Sequence, residues 1–523
     1  MIAKTLKTIP LTIFLFFPAI GQCYSGIELL INDPLLFERP QSATQSEVGI
    51  ALLNLLNGAK DTIDFAIFGL RDQDDILNAL INAKKRGVSI RGVVDKDTDN
   101  QNYYTSTSDL LKVFPDIETD YEQDLMTLKY QSDFDYNPYC TRPYGFEGYL
   151  QCIGYSLSTD ECIVASHASR EPIIFRGDIM HNKFFIVDGE SVWTGSTNAS
   201  DSGTGGYNAN TAVVVRSKEI ALWFTAEFDQ MYVQGRYHRA KPDESLVKRK
   251  CKLDDGSTVH VSFSPQGDTI EKLVRPLIKN AKEYIDVSIF FLTHKKLAGD
   301  LIKAHQDGVK VRVIIDATSA KNGYTKHEIL RAAGIPVKVE NWGGKMHMKV
   351  AAIDDKYLIT GSMNWTSAGE GSNDENTLII KNPKYTMQMH QFFDYLWNSI
   401  PDRWLKNRPD PESLDSSTAC FDGADNDFDG LADSDDPGCS ETPPELSELP
   451  PYWIVRKIDG NNLIKGNISK GKGFFAKDRK IYQIPGSRYY EKTIIDTQQG
   501  ERWFCSLYDA RENGWKSYEE YKW

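Results

Sequence analysis

One string of residue types occurs twice in this chain at identical internal spacing: His, any residue, Lys, four residues, Asp, six residues, Gly-Ser, any residue, Asn. The first copy is His181, Lys183, Asp188, Gly195, Ser196 and Asn198; the second is His347, Lys349, Asp354, Gly361, Ser362 and Asn364. Six positions recurring twice leave little room for coincidence, and they restrict the fold to one unit used twice. Upstream of each copy lies a second pair of similar segments, residues 59–95 and 281–316. Each reads as strand, helix, strand: an apolar run (Ile63 to Leu70; Ile285 to Leu292), an amphipathic stretch ending in Gly87 or Gly308, then a β-branched run. This alternation predicts an α/β domain with a largely parallel sheet. The upstream segments are offset by 221 residues (308 minus 87) and the downstream ones by 166 (347 minus 181), so the first half carries a 55-residue insertion. It contains Cys140, Cys152 and Cys162. A long, disulfide-tied insertion just before a motif strand is a candidate lid or substrate-selecting element.

The spacing has a chemical reading. On an extended strand alternate side chains share a face, so His and Lys two apart point the same way while Phe184–Val187 or Val350–Ile353 continues into the core. The Gly-Ser-x-Asn turn then returns a hydroxyl and an amide to the same edge. Two such edges meeting would surround one phosphate with two imidazoles, two ammonium groups and several neutral donors. Phosphodiester cleavage needs such a set: one imidazole to attack phosphorus, the other to protonate the leaving oxygen, and fixed cations to stabilise the equatorial oxygens. With Lys183 and Lys349 in the cationic role, no catalytic metal or other cofactor is expected. Asp188 and Asp354 belong to the repeated string but more readily hold the following turn than take part in chemistry.

These residues resemble the paired HKD motifs of the phospholipase D superfamily, and the similarity covers roughly residues 45–400. The resemblance implies two fused α/β halves related by a pseudo-twofold axis, a phosphohistidine intermediate and hydrolysis in two steps. It also implies a chain that works as a monomer, since both motifs are present. Asn364-Trp365-Thr366 and Asn373-Asp374-Glu375-Asn376 further resemble the small bacterial nuclease and mitochondrial-type branch, in which the glutamate orients the motif histidine. Glu375 is therefore expected to hold His347. In the first half Asn208-Ala209-Asn210 puts alanine at that place, so the halves are not equivalent. By resemblance His181 is the nucleophile and His347 the general acid, and a carboxylate beside His347 would favour its charged form. The motifs report the phosphate and not its substituents, so phospholipid and nucleic acid both stand as substrates. A rival reading is a surface- or nucleic-acid-binding protein with an inactive site.

The rest of the chain supplies context. Lys4, Lys7 and an apolar run from Ile9 to Ile20 read as a signal peptide, residues 1–22, and hence as a secreted or periplasmic protein. No later segment is apolar enough to span a bilayer. Eight cysteines then point to disulfides: Cys420 with Cys439, and an even set of Cys140, Cys152, Cys162 and Cys251 with open connectivity. The net charge of -13 is misleading, because residues 410–448 hold thirteen Asp and Glu and no Lys or Arg, leaving the remainder neutral. The expected organisation is a first half over 23–240 with its insertion at about 100–178, a second half over 241–405, an acidic linker over 406–450 and a C-terminal module over 451–523. In the linker, Asp425, Asp427, Asp429, Leu431 (backbone), Asp433 and Asp436 have the ligand spacing of an EF-hand-type loop, which predicts structural Ca²⁺. The final module holds fourteen Lys and Arg against nine Asp and Glu, interleaved with aromatics. It resembles a small domain appended to secreted bacterial nucleases and suits single-stranded nucleic acid or a charged surface.

Overall fold

The computed structural model describes residues 25–95, 104–120, 178–320 and 325–424, most of 426–439, and short stretches at 154–155, 162–163 and within 464–517. The expected signal peptide, most of the insertion, and Asp425, Asp429 and Leu431 lie outside the described residues.

Each half is built around one sheet. In the first, the strand order is Gly26–Asn32, Asn210–Arg216, Ser191–Gly195, Phe184–Val187, Thr62–Ile67, Ser89–Val94, Glu118–Thr119. In the second it is Arg249–Lys252, Thr258–Ser264, Glu375–Lys381, Tyr357–Gly361, Lys349–Ile353, Tyr284–Ile289, Lys310–Ile315, Val337–Val339. Apart from the added edge strand Arg249–Lys252, the two orders correspond position by position, which is the pseudo-twofold repetition expected. The sheets are mixed and not largely parallel. Only the strand–helix–strand units give parallel pairs, as between Thr62–Ile67 and Ser89–Val94 or between Tyr284–Ile289 and Lys310–Ile315. The motif strands return through tight turns, so Phe184–Val187 pairs antiparallel with Ser191–Gly195, and Lys349–Ile353 with Tyr357–Gly361. A two- to four-residue connection can only make a hairpin.

The helices follow their apolar spacing. Asp74–Lys85 buries Ile76, Ala79, Leu80 and Ala83, and Lys295–Gln306 buries Leu297, Ala298, Leu301 and Ala304. A longer helix follows the last strand of each half: Lys218–Tyr232, whose first turn is capped by Ser217, and Pro383–Ser399, capped by Asn382. One core cluster joins the halves: Phe184, Phe224 and Met180 from the first pack with Phe263, Val350 and Leu378 from the second. Polar side chains cross the same seam, with Thr211 Oγ1 2.9 Å from Thr360 Oγ1 and Asn376 Nδ2 donating to Asn182 Oδ1 at 3.0 Å.

The motif turns show why their residue types are fixed. A Cβ on Gly195 would lie 2.1 Å from the Thr211 carbonyl oxygen, and one on Gly361 2.3 Å from that of Asn376. Asp188 accepts the backbone N–H groups of Lys60, Asp61 and Thr62, and Asp354 those of Lys282, Glu283 and Tyr284. Both carboxylates sit at the end of the motif strand opposite its histidine, so these members of the repeated string fasten the repeat and stand outside the imidazole–ammonium cluster.

The last module shows a four-stranded sheet ordered Arg502–Phe504, Ile464–Ser469, Arg479–Gln483, Lys516–Ser517, with Tyr482 and Trp515 in contact. Cys420 and Cys439 are bonded as expected, whereas Cys251 is a free thiol and does not join the even set. Burial pushes that thiol up to about 11. Among the described residues no helix is long and apolar enough to cross a membrane.

Asp354→Ala should lower stability by about 1–3 kcal/mol, the scale for leaving amide donors unpaired, without abolishing turnover. Urea unfolding and a phosphodiester assay beside His347→Ala check this; loss of activity as deep as that of the histidine variant would return Asp354 to the chemistry.

Candidate active site

The site forms at the seam between the two sheets, where Ser191–Gly195 and Asn210–Arg216 of the first come against Tyr357–Gly361 of the second. His181 stands just before the strand Phe184–Val187 and His347 just before Lys349–Ile353, and each takes its backbone direction from the other half. His181 N–H donates to the Asp374 carbonyl and His347 N–H to that of Ala209, both at 3.0 Å. The residue before each histidine is pinned by an aspartate ending the upstream repeat: Met180 N–H donates to Asp95 at 2.8 Å and Met346 N–H to Asp316 at 3.2 Å. These aspartates close the aligned segments at 95 and 316, a recurrence in the sequence that could have flagged them.

The side-chain pairing overturns the expected partner of Glu375. Its carboxylate accepts from His181 Nδ1 at 2.8 and 2.9 Å, and from Ser362 Oγ at 2.6 Å; it does not hold His347. His347 Nδ1 instead faces two neutral acceptors of the first half, Asn210 Oδ1 at 3.0 Å and the Ser196 carbonyl at 3.1 Å. Each strand end thus crosses the pseudo-twofold axis to orient the opposite histidine. The equivalent of Glu375 is accordingly Asn210 and not Ala209. Ser362 to Glu375 spans 13 residues (375 minus 362), but Ser196 to Asn210 spans 14 (210 minus 196), because the first half has one more residue between turn and strand. Counting along the chain lands on Ala209; register fixes Asn210, as Ser196 N–H donates to Thr211 O and Ser362 N–H to Asn376 O.

Both lysines are buried, and each donates to the carbonyl of its own histidine: Lys183 to His181 at 2.8 Å, Lys349 to His347 at 2.7 Å. Phe68 packs edge-on to His181 and beneath Lys183, and Phe290 lies against His347 and Lys349 in the same way. Ser196 and Ser362 are hydrogen-bonded to the orienting residues Asn210 and Glu375. Asn198 and Asn364 line the pocket, and the Oδ1 of each is buried without a hydrogen-bond partner among the described residues.

Burial sets the electrostatics. It draws Lys183 down to about 7, against the pull of Glu375 and Asp95, and brings Lys349 well below its usual range, with Lys183 adding repulsion. It pushes Glu375 up to about 8, the two lysines opposing it. His347 falls well below the ordinary imidazole value through burial and the neighbouring lysine charges. Two buried ammonium groups beside one carboxylate leave a site that gains most from an anion.

Behind His181 lies an ion cluster centred on Asp374. Asp374 accepts from Lys241 at 2.7 Å and faces His238 at 3.1 Å, while Lys241 also meets Glu227 at 2.5 Å and His238 meets Asp120 at 3.0 Å. Burial opposes the charge on His238, but Asp374 and Asp120 outweigh it and hold the ring up at about 10. The position matching Asp374 is Ala209, so only the strand bearing Glu375 is fixed this way.

Sequence reasoning missed Asn210, which orients His347, and Lys345, Tyr207, Asn208 and Asn426, which join the histidines around the pocket. It also missed Glu412. One carboxylate oxygen from each of Glu412, Asp427 and Asp436 lies within 4.8 Å of the others. Of the expected calcium ligands, Asp427 and Asp436 come together there. Asp433 turns instead to the backbone N–H groups of Asp422 and Gly423.

Two mixed sheets whose motif histidines meet at one pocket, each histidine backed by a buried lysine bonded to its carbonyl, define a phospholipase D-type protein. The family model described as "Cardiolipin synthase, PLD-like domain" matches residues 52–232 and 274–397. The chain belongs to this phospholipase D-like family. Among curated relatives, a mitochondrial cardiolipin hydrolase of Chlamydomonas reinhardtii is 30% identical over 158 residues, which is 30% of this chain and 70% of that protein. A protein of the same description from Canis lupus familiaris is 32% identical, over 30% of this chain and 63% of its own length. A phospholipase D of Rickettsia conorii is 34% identical, over 24% of this chain and 62% of its own length. Among solved structures, the phospholipase D family member Nuc from Salmonella typhimurium is 29% identical, covers 28% of this chain and 97% of that one, and superposes with a TM-score of 0.26.

The electrostatics predict that affinity for sulfate, whose charge is constant between about pH 5 and 9, falls as pH rises through about 7. Lys183 is protonated below that value and neutral above it, and Glu375 ionises above about 8, so both changes remove anion affinity on the alkaline side. Calorimetric titration at several pH values measures this; an affinity flat to pH 9 would contradict it.

Proposed function

We propose that this protein hydrolyses phosphodiesters through a covalent phosphohistidine, with His181 as nucleophile and His347 as general acid. The observation that carries the reading is the unequal support of the two rings. Glu375 accepts from His181 Nδ1, which leaves the Nε2 lone pair free to attack and stabilises the positive charge that builds on the ring as the P–N bond forms. Nucleophile and acid are therefore assigned as the resemblance implies, with Glu375 serving the nucleophile.

In the first step the P–Nε2 bond forms, the bond from phosphorus to the leaving oxygen breaks, and that oxygen takes the Nε2 proton of His347. Burial and the lysine charges keep the proton affinity of His347 low, so a proton held there beside the diester passes readily to the leaving oxygen. Its Nδ1–H stays fixed on the Ser196 and Asn210 oxygens. In the second step His347 removes a proton from water, the water oxygen bonds to phosphorus, and the P–N bond breaks. Lys183 and Lys349 supply the positive charge toward the equatorial oxygens throughout, with Asn198 and Asn364 as neutral contacts. The chemistry proposed needs no metal.

For substrate we favour a phospholipid diester, supported by the cardiolipin hydrolases and the phospholipase D among the relatives. The basic, aromatic C-terminal module supports nucleic acid as the second reading. Location outside the cytoplasm is proposed from the N-terminal sequence, and the Cys420–Cys439 disulfide suits it. We also propose structural Ca²⁺ at Glu412, Asp427 and Asp436, an all-oxygen set suited to a hard cation. Burial and the neighbouring carboxylates push Glu412 up to about 10, a repulsion that a bound cation would relieve.

His181→Ala and His347→Ala should each lose several orders of magnitude, since nucleophile and acid act as a unit, and turnover should survive EDTA. Glu375→Gln should lose about 10²- to 10⁴-fold and Asn210→Ala much less. Trapping on a slowly hydrolysed diester followed by peptide mapping should find phosphate on His181; phosphate on His347 would reverse the roles. Calcium should raise the melting temperature while Glu412→Gln removes that rise. Equal melting temperatures with calcium and with chelator would leave the segment metal-free.

A further inference from the structure

The segment after the second half, which reads as a linker, supplies a wall of the pocket. Ala424 and Asn426 line it together with His181, His347 and Lys345. Asn426 is 2% exposed and held from every side. Its N–H donates to Glu412 at 2.6 Å, and its Nδ2 donates to the Gly343 carbonyl at 2.6 Å and to Asp422 at 2.8 Å. Its carbonyl accepts from Lys345 Nζ and, at 3.4 Å, from Thr318 Oγ1. Tyr207 of the first half donates to Asp422, so the segment bridges both halves. The Cys420–Cys439 disulfide closes the stretch that carries it.

After all these contacts Asn426 Oδ1 has no hydrogen-bond partner among the described residues. A buried amide oxygen without a donor is costly, and in a ligand pocket a ligand donor is the natural remedy. The Oδ1 atoms of Asn198 and Asn364, in the same lining, are in the same condition. The wall also breaks the pseudo-twofold symmetry. It grips Gly343 and Lys345, which lead into His347, and the residue matching Lys345 in the first half is Ile179, since each stands two before its histidine.

We propose that Asn426 is a specificity-determining residue whose side-chain oxygen accepts a hydrogen bond from a hydroxyl- or ammonium-bearing leaving alcohol on the His347 side of the diester. The inference rests on the phosphodiesterase reading above, because the leaving alcohol is the one His347 protonates. Lipid headgroup alcohols and nucleoside hydroxyls share this donor chemistry. An alkyl alcohol lacks it and leaves the oxygen unpaired, which is the strong form of discrimination.

The test uses the full-length protein and butyl phosphate diesters of glycerol, ethanolamine, thymidine and propanol, with the common product butyl phosphate followed by ³¹P NMR. Wild type should prefer the donor-bearing diesters over the propyl diester in kcat/KM by about tenfold or more. Asn426→Ala should lose that preference, so that the kcat/KM ratio of donor-bearing to propyl diester falls to near one whatever change is common to all four. Asn426→Asp keeps the acceptor while losing the Nδ2 bonds to Gly343 and Asp422, so it is read by the ratio of donor-bearing to propyl diester, which should stay above that of Asn426→Ala. Phe421→Ser, at an 80% exposed position of the same segment, should match wild type on all four. A preference among glycerol, ethanolamine and thymidine identifies the source of the alcohol. Equal losses by Asn426→Ala on propyl and glyceryl diesters would overturn the inference, as would a wild type that does not prefer donors. His181→Ala separates the two readings: full activity there sinks the phosphodiesterase reading, whereas abolished activity with an unaltered Asn426→Ala sinks only this one.

Discussion

The pairing of Glu375 with His181 across the two halves is the contact on which the rest depends. Neither half orients its own histidine. The first provides Asn210 and the Ser196 carbonyl for His347, and the second provides Glu375 for His181. A single half would leave a buried imidazole and two orphaned orienting groups, so the seam between the sheets has to close before either ring is aligned. Apolar packing of Phe184, Phe224, Phe263 and Leu378 drives that closure, and paired amides and hydroxyls such as Asn182–Asn376 and Thr211–Thr360 fix its register.

Closure has an electrostatic cost that the site turns to use. Lys183, Lys349 and Glu375 are all but inaccessible, and isolated charges in such surroundings shift toward their neutral forms. Lys183 near 7 and Glu375 near 8 express that tension, which a phosphate anion resolves by favouring both ammonium groups. The cluster of Asp374, His238, Lys241 and Glu227 is an unequal addition. It braces the strand holding Glu375, and the position matching its central Asp374 is Ala209 beside Asn210, so the pseudo-symmetric scaffold differs where the two rings need different support.

Much of this was legible in the sequence. The twice-repeated string predicted two fused halves and one site with two imidazoles and two ammonium groups, because period-two alternation and a glycine turn translate directly into geometry. The sheet was read as too parallel because the strand–helix–strand segments stand out along the chain, whereas the hairpins after Lys183 and Lys349 are short. Glu375 was assigned to the wrong ring for two reasons of different kind. Partner choice across a pseudo-twofold axis leaves no trace in spacing, and one additional residue between Ser196 and Asn210 placed alanine where a count along the chain expects the orienting group.

Composition misled most in the segment after the second half. Its acidic, Pro- and Ser-rich character reads as a linker between the second half and the C-terminal module. Position decides otherwise. Asn426 N–H donates to Glu412, and Asp422 is engaged by Tyr207 and by the Asn426 amide, so these carboxylates are spent on holding the segment against the pocket. The group left unpaired in this part of the pocket lining is a neutral amide oxygen. A wall built this way leaves the two lysines to attract the phosphate and adds discrimination at the substituent, where the motifs themselves carry no information. The recurring strings therefore define the bond that is cut, and a non-repeated segment beyond both of them helps define whose bond it is.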